Sequence, residues 1–185
     1  MSWSIICAED VSPQRWKNDG GWTRELLAWP RAADWSVRVS VADIEADGPF
    51  SKFEGVDRWF AVLRGDGVRL YEYELRTQDE LLHFDGALGP DCTLIGGTTR
   101  DFNLMHRRRS GRLVVTPAAT AIRPEGRWVG LFTGRGGLLE HGARAMPLRP
   151  MSLAWCESPA SQSCVFNGGE AGEGQAWWMQ WSENA

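Results

Sequence analysis

The chain has 185 residues and a mass of 20.7 kDa, which is enough for one ordinary domain, or two very small ones fused around a shared core, without disulfide or metal support. Its 20 Lys and Arg and 24 Asp and Glu give a net charge of -4 without a long block of either sign, which argues against nucleic-acid binding. No apolar run is long enough to span a membrane and the N-terminal residues do not resemble a signal peptide, so we expect a cytoplasmic protein without a membrane partner.

Short stretches of alternating apolar and polar residues predict strands along most of the chain. The clearest is 35–41, in which Trp35 and three valines share one face while the serines and Arg38 share the other. Residues 58–63 and 68–73 flank an Asp-Gly turn and predict a β-hairpin. Further strands are predicted at 92–95, 113–115, 128–132, 152–155 and 175–181.

Glycine and proline turns separate these segments, and no long stretch has helical periodicity. Residues 134–142 and 167–174 are predicted to be exposed loops. Many short strands with glycine-rich turns indicate an all-β barrel or sandwich. We expect one compact domain over residues 1–185.

The cysteines and histidines do not form a pattern that would hold a metal. The cysteines lack a C-x-x-C pair and are predicted to be small buried apolar residues at Cys7, Cys92, Cys156 and Cys164. The histidines stand alone at His83, His106 and His141. A divalent metal in such a fold needs several imidazoles and a carboxylate at short range, so we expect no metal and no cofactor.

Four polar motifs stand out, at residues 16–25 (WKNDGGWTRE), 38–40 (RVS), 48–58 (GPFSKFEGVDR) and 101–105 (DFNLM). In identity and order they resemble the HutD/Ves family. The resemblance implies a bicupin, with two small β-barrels of the jelly-roll-like double-stranded β-helix type in one chain. It also implies an association with bacterial histidine utilisation in the HutD branch or with a stress response in the Ves branch, and no established catalytic activity.

The first motif has the composition of a ligand-binding loop. Asn18 offers hydrogen-bond donors and acceptors, and the adjacent glycines allow close approach of the backbone to a ligand. The same Asn-x-Gly pattern is also an ordinary turn signal. Thr23 and Glu25 alternate on the segment that follows and are grouped with the loop.

Arg38 and Ser40 share the polar face of the clearest strand. If that face lines a barrel, the guanidinium can bind a carboxylate through two hydrogen bonds. If the apolar face forms the core instead, Arg38 is only solvated. The family resemblance favours the first interpretation.

Two other motifs are expected to reach the same barrel. Residues 48–58 form a turn-rich approach to its mouth. Asp101 and Asn103 share a side if their segment is extended, whereas at a bend they would hydrogen-bond neighbouring backbone. The predicted ligand-binding residues are Asn18, Gly20, Gly21, Thr23, Glu25, Arg38, Ser40, Phe50, Ser51, Arg58, Asp101, Asn103 and Met105.

The sequence and the resemblance together predict a metal-free protein that binds a small polar or anionic metabolite and senses or buffers it. By resemblance the ligand is an intermediate of histidine breakdown, urocanate or N-formylglutamate. A less favoured alternative is a metal-free isomerase or lyase in which Asp57, Asp101 or His106 moves a proton. Another is a partner-binding protein that uses surface tryptophans at 177 and 178. A homodimer is left open.

Overall fold

The computed structural model describes residues 2–159, 161–168 and 175–184. Within these ranges the chain forms eighteen strands and two 3-10 helices, Ala8–Asp10 and Arg108–Ser110. In chain order the strands are β1 (Ser4–Cys7), β2 (Gln14–Arg15), β3 (Gly21–Trp29), β4 (Val37–Ile44), β5 (Gly48–Pro49), β6 (Val56–Arg64), β7 (Val68–Leu70), β8 (Tyr73–Leu75), β9 (Leu82–Asp85), β10 (Asp91–Leu94), β11 (Thr99–Arg107), β12 (Arg112–Pro117), β13 (Trp128–Thr133), β14 (Gly137–His141), β15 (Arg144–Leu148), β16 (Ser152–Glu157), β17 (Cys164–Asn167) and β18 (Ala176–Ser182).

The all-β fold class is confirmed, and the chain divides into two compact units. One unit spans Val11–Arg109, and the other combines the segments before and after it. No helix in the described ranges is long and apolar enough to cross a membrane. The four cysteines are buried and unpaired by disulfides, as their scattered spacing predicts.

The Val11–Arg109 unit is built from two antiparallel sheets. The six-stranded sheet has the order β2-β3-β4-β11-β6-β9, and the four-stranded sheet has the order β5-β10-β7-β8. Alternate residues of both sheets point into a shared apolar core. That core contains Ile44, Phe50, Phe60, Val62, Val68, Leu70, Leu75, Phe84 and Cys92.

The predicted hairpin at residues 58–73 is wrong. Strand β6 pairs with β9 and β11, whereas β7 pairs with β8 and β10 in the other sheet. The Asp-Gly turn therefore carries the chain from one sheet to the other. Gly65 has a φ of 97°, and a Cβ there would lie 2.7 Å from the Thr98 carbonyl oxygen, so this crossing requires glycine. The strand predicted at 68–73 is also divided into β7 and β8, because Tyr71 between them adopts a φ of 55°.

The other unit also contains two sheets, with strand orders β1-β16-β13-β18-β12 and β15-β14-β17.

The remaining strand predictions are matched by strands of both units. The segments 92–95, 113–115, 128–132, 152–155 and 175–181 correspond to β10, β12, β13, β16 and β18. The exposed loop predicted at 134–142 is wrong, because β14 lies within it and pairs with β15 and β17. Of the loop predicted at 167–174, residues 169–174 lie outside the described ranges.

Trp177 and Trp178 lie on β18, which is hydrogen-bonded to a strand on either side. Trp178 belongs to the apolar core of its unit, and Trp177 stacks on Phe132 with ring centroids 6.1 Å apart. Both side chains are buried. The hypothesis that they form an exposed partner-binding surface is therefore wrong.

Candidate functional site

A cavity of about 520 Å³ lies in the Val11–Arg109 unit. Most of the predicted ligand-binding residues line it, namely Asn18, Thr23, Arg38, Ser40, Phe50, Ser51, Arg58, Asn103 and Met105. The register of the six-stranded sheet explains this convergence. Met105 of β11 lies opposite Arg38 of β4 on one side and Arg58 of β6 on the other. Two residues away on the same strands, Asn103 of β11 lies opposite Ser40 of β4.

Arg58 is the most deeply buried charged residue of the cavity wall, with only 5% of its surface exposed. Its Nη2 donates to Oδ1 of Asn103 at 3.1 Å and its Nη1 donates to the Ser51 carbonyl oxygen at 3.3 Å. The guanidinium carbon also lies 4.9 Å from the ring centroid of Phe50 and 5.2 Å from that of Phe84. Aromatic rings and neutral oxygens thus hold this cation in place.

No carboxylate of the described residues forms an ion pair with Arg58. Burial and, to a lesser extent, the nearby positive charge of Arg38 lower the pKa of Arg58 to about 10. A buried cation without a counter-charge is costly, because it has lost its hydration without gaining an opposite charge. A negatively charged ligand in the cavity would supply that charge.

The electrostatic character of the cavity is cationic. Its charged lining residues in the described part of the chain are Arg15, Lys17, Arg38 and Arg58, and no carboxyl group lines it. Two of these charges are partly compensated by carboxylates outside the lining. The Nε of Arg38 donates to Oε2 of Glu25 at 2.5 Å, and Arg15 forms ion pairs with Asp19 and Glu45. The cavity therefore favours an anion.

The glycine-rich loop lies at one side of the cavity, and its glycines have a structural role. The Gly20 amide donates to Oδ1 of Asn18 at 3.1 Å. This contact is typical of the ordinary Asn-x-Gly turn, the second interpretation given above for this motif. A Cβ on Gly21 would lie 2.3 Å from the Asp43 carbonyl oxygen, so close strand approach requires glycine there. Neither glycine lines the cavity, whereas Asn18 and Thr23 do.

Asp101 lies on β11 two residues from Asn103 and is fully buried. Its Oδ2 accepts a hydrogen bond from the Thr99 hydroxyl at 2.7 Å, and its Oδ1 has no hydrogen-bond partner among the described residues. Burial raises the pKa of Asp101 well above its usual range. The segment is extended rather than bent, but Asp101 does not line the cavity.

Asp57 and His106, the other acid–base candidates, do not line the cavity either. They lie opposite each other on β6 and β11, one residue along from Arg58 and Met105, and so on the other face of the sheet. Arg108 Nη1 donates to Oδ1 of Asp57 at 3.0 Å, and burial lowers the pKa of His106. The sheet thus separates this pair from Asp101.

The remaining lining residues were not predicted as ligand-binding, although most lie inside or beside the quoted motifs. They are Arg15, Trp16, Lys17, Ala42, Ile44, Pro49 and Phe53. Ala42 and Ile44 continue the two-residue alternation of β4 that begins at Arg38. Extending that alternation along the strand would therefore have predicted that they face the cavity. Phe84, which packs against Arg58, lies in no motif.

Comparisons with known proteins agree with the motifs. The HutD family model matches residues 8–172. An uncharacterised 21.2 kDa protein from the hutC 3' region of Pseudomonas putida is 38% identical over 109 residues, which is 55% of this chain and 57% of that protein. Protein Ves of Citrobacter koseri is 28% identical over 67% of this chain and 64% of its own length. The matched regions thus span less than two thirds of these relatives.

Solved structures show the same fold. HutD from Pseudomonas fluorescens superimposes with a TM-score of 0.80 at 22% identity, covering 100% of both chains. A cupin 2 conserved barrel domain protein from Leptotrichia buccalis superimposes with a TM-score of 0.54 at 7% identity, covering 97% of this chain and 96% of that one. The two-barrel cupin architecture is therefore confirmed.

Cupin barrels often hold a divalent metal, but the residues of this cavity do not fit one. No imidazole, carboxylate or thiol is among the described lining residues, and no group of three or more such side chains in the described ranges could hold an ion. Guanidinium groups would also repel a cation from the cavity.

We expect the purified protein to contain no stoichiometric transition metal and to melt at the same temperature with and without a chelator. A tightly bound metal would be linked to stability, so its removal would lower that temperature. Elemental analysis and a thermal melt test this. About one tightly held Fe, Mn, Ni or Zn ion per chain would contradict it.

Proposed function

This chain belongs to the HutD family, in which no catalytic activity is established, and we propose that its Val11–Arg109 unit binds a small carboxylate metabolite. The protein senses or buffers this metabolite rather than converting it. The absence of carboxyl, imidazole and thiol groups from the described lining supports binding over proton-transfer chemistry.

The observation that carries the proposal is the buried, uncompensated guanidinium of Arg58. A ligand carboxylate at this position pairs with Arg58, and the Nη groups of Arg38 are available from β4, which lies on the other side of β11 in the same sheet. Charge-assisted hydrogen bonds of this kind are among the strongest in proteins. Asn18, Ser40 and Asn103 supply neutral hydrogen bonds that orient the rest of the ligand.

The favoured ligands are urocanate and N-formylglutamate, two acids of histidine breakdown. Support comes from the HutD family match and from the relative named for the hutC 3' region of Pseudomonas putida. A cavity of about 520 Å³ is within the size range of small-molecule sites.

We expect calorimetry to show binding of at least one of these two acids, with affinity falling from wild type to Arg38→Lys to Arg38→Ala. Lysine keeps the charge but loses the planar pair of donors, and alanine loses both. At roughly 1.5 to 3 kcal/mol for a charged hydrogen bond, alanine should weaken binding by roughly 10- to 150-fold.

Arg69→Ala is the matched control, because Arg69 is exposed, pairs with Glu74 and does not line the cavity. Its affinity should equal that of the wild type. If neither acid binds the wild-type protein, the proposed ligand class is wrong. Equal binding by folded Arg38→Ala would remove Arg38 from the site.

A further inference from the structure

Building on the proposed function, we propose that Glu25 is a positioning residue that holds the Arg38 guanidinium in the orientation needed to bind the ligand carboxylate. Glu25 itself does not line the cavity. Its role is exerted through Arg38 rather than by contact with the ligand.

The contact between the two side chains uses one particular donor of Arg38. Oε2 of Glu25 accepts from Nε at 2.5 Å, and both side chains are partly shielded from solvent. A guanidinium has five N–H donors in a rigid plane, so a carboxylate on Nε fixes the plane and leaves the Nη donors free. Those remaining donors are the ones that Arg38 presents to a ligand.

A β-bulge in β3 makes this contact possible. Glu25 lies opposite Ser40, but the next paired residue is Leu27, opposite Val39, so that β3 contains one residue more than β4 at this point. In a regular ladder Leu27 would lie opposite Arg38. With the bulge the opposing residue is Ala28, whose small side chain leaves room for the Glu25 carboxylate to reach Arg38 diagonally across the strands.

Electrostatics alone and positioning predict opposite effects of removing Glu25. The carboxylate is a negative charge beside an anion site, so by Coulomb's law its removal should tighten binding of an anion. If Glu25 orients Arg38, its removal frees the guanidinium to rotate and binding weakens, because the ligand must then order that side chain. The sign of the change in affinity therefore separates the two roles.

The probes are urocanate and N-formylglutamate, each titrated by calorimetry into wild type, Glu25→Ala and Glu25→Gln. We expect Glu25→Ala to weaken binding by roughly tenfold, comparable to losing one oriented hydrogen bond to a charged group. Glu25→Gln keeps an oxygen that can accept from Nε, and it should stay within about threefold of the wild type.

Glu54→Ala is the charge-matched control. Glu54 is exposed, follows Phe53 of the cavity lining and has no ion pair among the described contacts. Its removal should leave affinity unchanged or raise it slightly, as expected for loss of an exposed negative charge that solvent screens. Binding by Glu25→Ala that equals or exceeds that of the wild type would overturn the positioning role.

The Nε–H resonance of Arg38 provides a readout that needs no ligand. In NMR spectra of arginine-labelled protein, a hydrogen bond to Glu25 should protect this proton from exchange in the wild type and in Glu25→Gln. An unprotected Nε–H in the wild type would overturn the proposal, even if Glu25→Ala did not fold. If the proton is protected but neither acid binds, the contact stands and the proposed function is at fault.

Discussion

Replacing Arg58 with methionine should strongly weaken binding of urocanate and N-formylglutamate without lowering the stability of the protein. Two charged hydrogen bonds from this guanidinium are worth roughly 3 kcal/mol or more together, so affinity should fall at least about 100-fold. The effect should exceed that of any substitution at Arg38, because Arg38 is more exposed and already paired with Glu25.

The expected effect of Arg58→Met on stability has the opposite sign. The pKa of Arg58 is lowered to about 10, so at neutral pH the fold holds a cation that the unfolded chain accommodates better, at a cost of roughly 3 kcal/mol. Two hydrogen bonds and the aromatic contacts offset part of this cost. Methionine has a similar length and fills an apolar pocket without any charge.

Urea denaturation and calorimetry on the same preparations test both expectations, with Arg69→Met as the exposed control. The free energy of unfolding of Arg58→Met should equal or exceed the wild-type value. A loss of more than about 2 kcal/mol would show that Arg58 is mainly a structural residue. Unchanged affinity for both acids would place the ligand elsewhere.

Replacing Asp101 with asparagine should remove a pH dependence from the stability of the fold. Burial raises the folded-state pKa of Asp101, with Asp43 contributing in the same direction, and the Thr99 hydroxyl opposes the shift only in part. The folded protein therefore holds a proton that the unfolded chain releases above a pH of about 3.9. The stabilisation that Asp101 contributes is complete below that pH and is lost as pH rises toward the folded pKa.

The free energy of unfolding of the wild type should thus fall relative to that of Asp101→Asn as the pH is raised from about 4 toward neutral, by at most about 1.4 kcal/mol per pH unit. Urea denaturation of both proteins across this range measures the difference, and groups that titrate equally in both cancel. Parallel stability curves for the two proteins would mean that the Asp101 carboxyl has an ordinary pKa in the fold.

Local patterns predicted strands well and their partners poorly. The alternation at 35–41 corresponds to β4, but it could not show which face is buried, because Val39 is fully buried on one side and Ser40 is 6% exposed on the other. The Asp-Gly turn after β6 predicted a hairpin because a turn signal contains no information about the hydrogen-bond partners of the strands that it joins.

The candidate site could be predicted only in part from the sequence. Alternation within a strand shows which of its residues share a face. Arg38, Ser40 and Asn103 converge because their strands are neighbours. The sequence and the resemblance predicted that these motifs reach one barrel but did not predict which strands pair. The contact of Glu25 with Arg38 beside the β3 bulge and the burial of Asp101 were not predictable from the sequence. Both are properties of the packed sheets rather than of any short segment.

The pairing of β1 with β16 has a consequence for how the chain assembles during synthesis. Ser4 pairs with Trp155, so β1 leaves the ribosome long before its partner exists. Within the described part of the chain, the strands β2 to β11 pair only with one another, so they can complete both of their sheets in the meantime. Until β16 emerges, β1 offers unpaired backbone and the exposed Ile5 to other nascent chains. Its length of only four residues limits that hazard.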